Sequence, residues 1–118
     1  MNPLATKASL SPNRQRLIEA MQQLNFGRIE GLEVHDGDPT FSPSPKLIQD
    51  IKLGAENGPR AELGREDFVL RAQVVELFDH LDRVSNGTIA AIDVRYGLPV
   101  RLVVEQSPQA VRSNEEML

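Results

Sequence analysis

The chain has no cysteine and no tryptophan, and its single tyrosine, Tyr96, stands beside only four phenylalanines. Without cysteine there is no disulfide, no thiolate nucleophile and no Cys-ligated zinc. Basic charge is also in short supply: 13 lysines and arginines face 17 aspartates and glutamates, for a net charge of −4. The molecule as a whole therefore has no field that draws in a polyanion. No stretch of about 18 apolar residues is present, so no membrane span is expected. The opening MNPLATKASL lacks the apolar centre of a signal peptide. The sequence reads as that of a cytoplasmic protein, and its 118 residues suit one domain with a modest core.

What the chain does have is internal repetition. Gly27 to Pro39, GRIEGLEVHDGDP, returns sixty residues later as Gly87 to Pro99, GTIAAIDVRYGLP. Gly27/Gly87, Ile29/Ile89, Val34/Val94, Gly37/Gly97 and Pro39/Pro99 coincide without a gap, and Leu32 answers Ile92. Agreement of this kind points to a duplicated unit.

A helix precedes each copy. Ser11-Pro12 supplies an N-cap and a proline at the first helical position, and Leu17, Ile18, Met21 and Leu24 form one apolar stripe. Asn25 or Gly27 is expected to close that helix in the left-handed conformation, with Phe26 returning to the core. The second helix is read from about Glu66 to Val84, because Leu70, Val74, Leu77, Leu81 and Val84 are spaced 4-3-4-3. Glu66 and Asp67 would then lie in its first turn, at the positive end of the dipole.

A β-hairpin follows each helix. Asp36-Gly37 fits a two-residue type I′ turn or a three-residue loop with a bulge, and a short return strand, Pro39 to Ser42, is closed by Pro43 and Pro45 and suits an edge. In the second hairpin, parity favours a three-residue loop with Gly97 at a bulge. That register sets Val94 against Leu98, Ile92 against Val100 and Ala90 against Leu102. Ile29 and Ile89 each lie an odd step before the next apolar position, which implies a kink in each strand or an isoleucine tucked under its helix.

The remaining segments break the pattern. Residues 1–10 read as a flexible tail and 107–118 as a disordered one. Residues 43–64 read as an irregular linker, within which 46–53 suits either helical turns or a short strand. The expected architecture is α+β: a duplicated αββ unit (11–42 and 65–106) forming a two-layer sandwich, with a four-stranded antiparallel sheet and two helices on one face. It is related to the ferredoxin-like arrangement by circular permutation. One αββ unit is too small to hide its apolar stripe, so a half-length fragment should dimerise or fail to fold.

Phe26-Gly27, Ile29, Val34 and Asp36-Gly37, following the helix LIEAMQQL, resemble the short bacterial YezD-like proteins, which are similar to one αββ unit. The second copy departs from that pattern at Ser85-Asn86, in place of the aromatic, and at Tyr96, in place of the aspartate. The resemblance implies a fold and supplies no chemistry.

Candidate sites are few. His80 has Glu76 one turn before it on the same helical face, and a His–carboxylate pair can share a metal. His35 lies elsewhere, in a hairpin, so no metal set is assembled and no cofactor is expected. Lys52, Gly54, Asn57, Gly58 and Arg60 form a glycine-containing loop flanked by cations that could cradle an anion or nucleotide, but no Gly-Lys-Ser/Thr ending or dinucleotide fingerprint accompanies it. Arg28, Arg95 and Arg101, with Phe41 and Tyr96 at strand ends, offer a nucleic-acid face, although Glu30, Glu33, Asp93 and Glu105 stand ready to neutralise it. No acid–His–Ser set is present, so no catalytic residue is named. The function expected is a non-catalytic protein-interaction module, with a protein partner or a second copy meeting Phe41, Tyr96, Arg101 and Val103 on an open sheet face or edge. Nucleic-acid, nucleotide or anion binding is the alternative, and an enzyme with an unrecognised site is the next.

Overall fold

The computed structural model describes residues 6–55 and 70–106. Among them, α1 (Pro12–Leu24), β1 (Gly27–His35), β2 (Asp38–Thr40), β3 (Lys46–Gln49), α2 (Ala72–Val84), β4 (Gly87–Arg95) and β5 (Leu98–Glu105) follow in order. The fold is α+β: two helices share one face of an antiparallel sheet, and the expected four strands become five. The strand order is β2-β1-β4-β5, with β3 also paired to β1.

The first helix begins as its residues dictate. Pro12 occupies the first position, where a missing N–H is harmless, and the Ser11 hydroxyl accepts the Arg14 backbone N–H at 3.1 Å. Its stripe of Leu17, Ile18, Met21 and Leu24 is buried against Val74, Leu77, Phe78 and Leu81 of α2 and against the central strands. The second helix starts at Ala72, six residues later than the spacing predicts. Leu70 is buried and belongs to the core, yet it precedes the helix. Glu66 and Asp67 lie outside the described residues.

Both helices end by a device the sequence reading missed. Asn25 (φ 59°, ψ −54°) and Ser85 (φ 64°, ψ −65°) have positive φ but negative ψ. Each is the centre of a γ-turn, closed by Phe26 N–H to Leu24 O at 2.6 Å and by Asn86 N–H to Val84 O at 2.7 Å. A one-residue reversal lets each strand start at once, where a left-handed cap would need a longer exit. Gly27 is required for another reason: a Cβ there would run into the carbonyl oxygen of Ile48 on β3.

The centre of the sheet is the β1–β4 pair, in which Gly27 faces Val94, Ile29 faces Ile92, Leu32 faces Ile89 and Val34 faces Gly87. Exchanging each residue for its counterpart sixty positions away in the other copy maps this register onto itself, as a local twofold would. Pairing is interrupted only opposite Gly31 (φ 73°) and Ala90, where both strands kink. The kink absorbs the odd step, so Ile29, Leu32, Ile89 and Ile92 are all fully buried.

The second hairpin departs from the expected register. Arg95 faces Leu98 across a two-residue turn whose residues, Tyr96 (φ 54°) and Gly97 (φ 71°), both have the positive φ of type I′. Parity is restored one step later: Val94 faces Pro99 while Asp93 faces Arg101, leaving Val100 as the extra residue of a bulge. Ile92 therefore meets Leu102, and apolar still faces apolar. In the first hairpin the return strand is split. Asp38–Thr40 pairs with the far half of β1 and Lys46–Gln49 with its near half, so 46–49 is a strand and the linker begins after it.

Residues 6–10 are no loose tail. Lys7 is 2% exposed with its Nζ 2.7 Å from Glu19 Oε2, and Leu10 packs against the core and accepts a hydrogen bond from Gln15. The expected tail at 107–118 lies outside the described residues.

Candidate interaction surface

Among the described residues, the helices cover one face of the sheet and leave the other open. Across that open face, register aligns Ile48 of β3, Arg28 of β1, Asp93 of β4 and Arg101 of β5 in one row. Arg28 donates from Nε to Asp93 Oδ1 at 2.9 Å and from its terminal nitrogen to Glu30 Oε2 at 3.3 Å. Arg101 approaches the other Asp93 oxygen at 3.6 Å. The Arg28 pKa is raised above its ordinary value, first by the hydrogen bond to Asp93 and then by that to Glu30. Asp93 within the row and Glu30 beside it balance the two guanidinium groups.

Beside it runs a groove of about 900 Å³, bordered by Phe26, Ile48, Tyr96, Val100 and the arginines. The turn holds Tyr96 out, 63% exposed, and Phe26 supports its ring edge-on at 4.8 Å. Ile48 and Val100 are also exposed, as are Ile51 and Leu53 beyond β3, while exposed Leu47, paired with buried Ile29, lies on the helix side.

Tyr96, Arg101 and Val103 lie together on the open face or its rim, with Val103 half-buried opposite Ala91. Phe41 does not join them. It packs against the core with the Arg16 guanidinium 4.4 Å above its ring, because the chain leaves β2 at Thr40 and turns toward α1. Lys52 and Gly54 (φ 84°) lie in a turn closed by Ala55 N–H to Lys52 O at 3.3 Å. Asn57, Gly58 and Arg60 lie outside the described residues, so the anion loop is not seen as a whole.

His80 and Glu76 line a second groove, of about 480 Å³, between α2 and β5, with Leu77, Leu102 and Val104. Among the described residues no group of three or more His, Asp or Glu side chains is placed to hold a metal. His35 stands apart beside Asp36, 3.5 Å away. Of the expected neutralising carboxylates, Glu30 and Asp93 pair with arginine, while Glu33 accepts a hydrogen bond from Thr88 at 3.1 Å. The sequence reading missed Ile48 and Phe26 as members of the surface. Only the pairing of 46–49 with β1 puts Ile48 beside Arg28.

No family model matches this chain, and no curated protein or solved structure does so either. The αββ resemblance thus rests on Phe26-Gly27, Ile29, Val34 and Asp36-Gly37 themselves.

Proposed function

We propose that the chain is a non-catalytic protein-interaction module that contacts its partner through the open sheet face and the rim beside β5. The observation that carries this reading is the Arg28–Asp93–Arg101 row set among exposed Ile48, Tyr96 and Val100. A polyanion would have to compete with Asp93 and Glu30 for the arginines and would find, among the described residues, one exposed aromatic, Tyr96, where single-strand binders array several. A protein partner gains instead from burying Ile48, Tyr96 and Val100, and the fixed row gives it orientation. Nucleic-acid or nucleotide binding is the second reading; Arg95 next to Tyr96 favours it, and the surrounding carboxylates oppose it.

The test places a photoreactive phenylalanine analogue at Tyr96, and a control at Gln23, an exposed position on α1. Irradiation in cells should yield discrete protein adducts from position 96 and none from position 23. Equal labelling at both positions, or a nucleic-acid adduct at 96, would overturn the proposal.

A further inference from the structure

The two edges of the sheet are protected very differently. On one side β2 and β3 are short, Pro39, Pro43 and Pro45 remove donors a neighbouring strand would need, and Lys46 sets a charge on the edge. On the other side β5 is eight residues long, and among the described residues nothing pairs with its outer edge. Its proline and its bulge are confined to the turn end, at Pro99 and Val100. The second irregularity of this pairing, between Ile89 and Ala91, puts its extra residue, Ala90, on β4, so Arg101-Leu102-Val103-Val104-Glu105 carries no extra residue of its own, and it has neither proline nor lysine.

We infer that β5 pairs antiparallel with β5 of a second copy of this chain, with Val103 opposite its own counterpart. This register is self-complementary in charge and in face. Arg101 of each copy meets Glu105 of the other, and Leu102 meets Val104. Arg101, Val103 and Glu105 share the open face, because they pair with Asp93, Ala91 and Thr88 on β4. The two new ion pairs therefore flank the Val103 pair on that face. Leu102 and Val104 point to the helix side, where the groove between α2 and β5 leaves space along the edge for the added strand's side chains. A shift of two residues would bring a charge opposite valine, and parallel pairing would oppose like charges. Because β5 is the one long edge without proline or lysine among the described residues, the contact is isologous and closes as a dimer rather than growing into a fibre. This deepens the interaction-module reading and rests on it: the partner at the β5 rim is a second copy.

Charge exchange tests it on the full chain by sedimentation equilibrium. Arg101→Glu sets two carboxylates against each other across the twofold, and Glu105→Arg sets two guanidinium groups, so each variant should self-associate about tenfold or more weakly than the parent. Mixed one to one, the two are complementary at both ends and should form a heterodimer, and the double exchange R101E/E105R should dimerise like the parent. R101E also sets a carboxylate beside Asp93, so thermal unfolding of each variant is followed alongside; E105R has no such neighbour among the pairs of the row and is decisive if R101E unfolds. A parent chain that stays monomeric at about 1 mM, a single exchange that dimerises undiminished, or a mixture that stays monomeric would overturn the inference. Crosslinking from Tyr96 to other proteins would be untouched by any of these results, so failure of the dimer is separable from failure of the module.

Discussion

The backbone N–H of Gly37 donates to the carbonyl of Ser85 at 2.8 Å, and sixty residues on, that of Gly97 donates to the carbonyl of Asn25 at 2.9 Å. Each hairpin turn is thus latched to the residue that ends the helix of the other half. The helix end has spare carbonyls to offer, and the type I′ turn turns its second N–H outward to meet one. Neither half satisfies its own backbone, which ties the two together beyond apolar contact.

Gly37→Ala and Gly97→Ala should therefore both destabilise. Each glycine has positive φ, 79° and 71°, which costs an alanine about 1–2 kcal/mol. At Gly37 the added Cβ would also come within 2.6 Å of Asp82 Oδ1. Urea unfolding should rank the variants with G37A the less stable; the reverse order would mean that the latch at Ser85 yields easily.

Arg14 joins the same corner from the side. Its guanidinium donates to the Gly37 carbonyl at 2.9 Å and to Asp82 at 2.5 Å, lies over the Phe78 ring at 5.0 Å, and is 3.7 Å from Asp38. Replacing it by alanine should cost about 1–3 kcal/mol, the range for hydrogen bonds to a charged group. Arg14→Lys should recover less than half of that loss in the same unfolding assay, because an ammonium cannot stack and fork together.

Much of this corner was visible in the sequence, and much was not. Ser11-Pro12, the stripe of α1 and the Asp36-Gly37 turn are local signals, and the odd step at Ile29 and Ile89 announced the kink at Gly31 and Ala90. Residues whose role depends on a distant partner were invisible. Lys7 reads as a tail lysine until Glu19 receives it, and 46–49 reads as helix or strand until β1 supplies the pairing. The register of β5 was misjudged because parity cannot distinguish a bulge at Gly97 from a tight turn followed by a bulge at Val100. The same limit applies to the surface: Tyr96 and Arg101 could be chosen by residue type, but Asp93 as the shared partner of two arginines emerges only from the alignment of β1, β4 and β5.

Deleting Val100 is a direct check of that bulge. With the extra residue gone, Val94 still faces Pro99, Asp93 faces Arg101 and Ile92 faces Leu102, so the pairing is made regular from the turn to Ile92 and is not shifted. The deletion variant should keep its cross-strand amide contacts and lose less than about 1 kcal/mol, as expected at an exposed position. Deleting Leu102 should be severe, because either Arg101 enters the core opposite Ile92 or the following strand changes face.

Asp93→Asn separates the two readings of the open face. In the parent, one carboxylate, 23% exposed, is bonded to Arg28 and lies near Arg101. Removing its charge leaves two guanidinium groups facing each other across β4 with only Glu30 still paired to Arg28. Stability should fall by no more than about 1 kcal/mol, the usual worth of partly exposed ion pairs. The change in binding should be qualitative. If the row is a neutral platform for protein, the parent should ignore single-stranded polynucleotide while D93N acquires a weak affinity that disappears as salt is raised. If the face already serves a polyanion, the parent should bind in low salt and D93N should only bind more tightly. Fluorescence anisotropy with a labelled oligonucleotide over a salt series distinguishes these outcomes, since they differ in whether the parent binds at all.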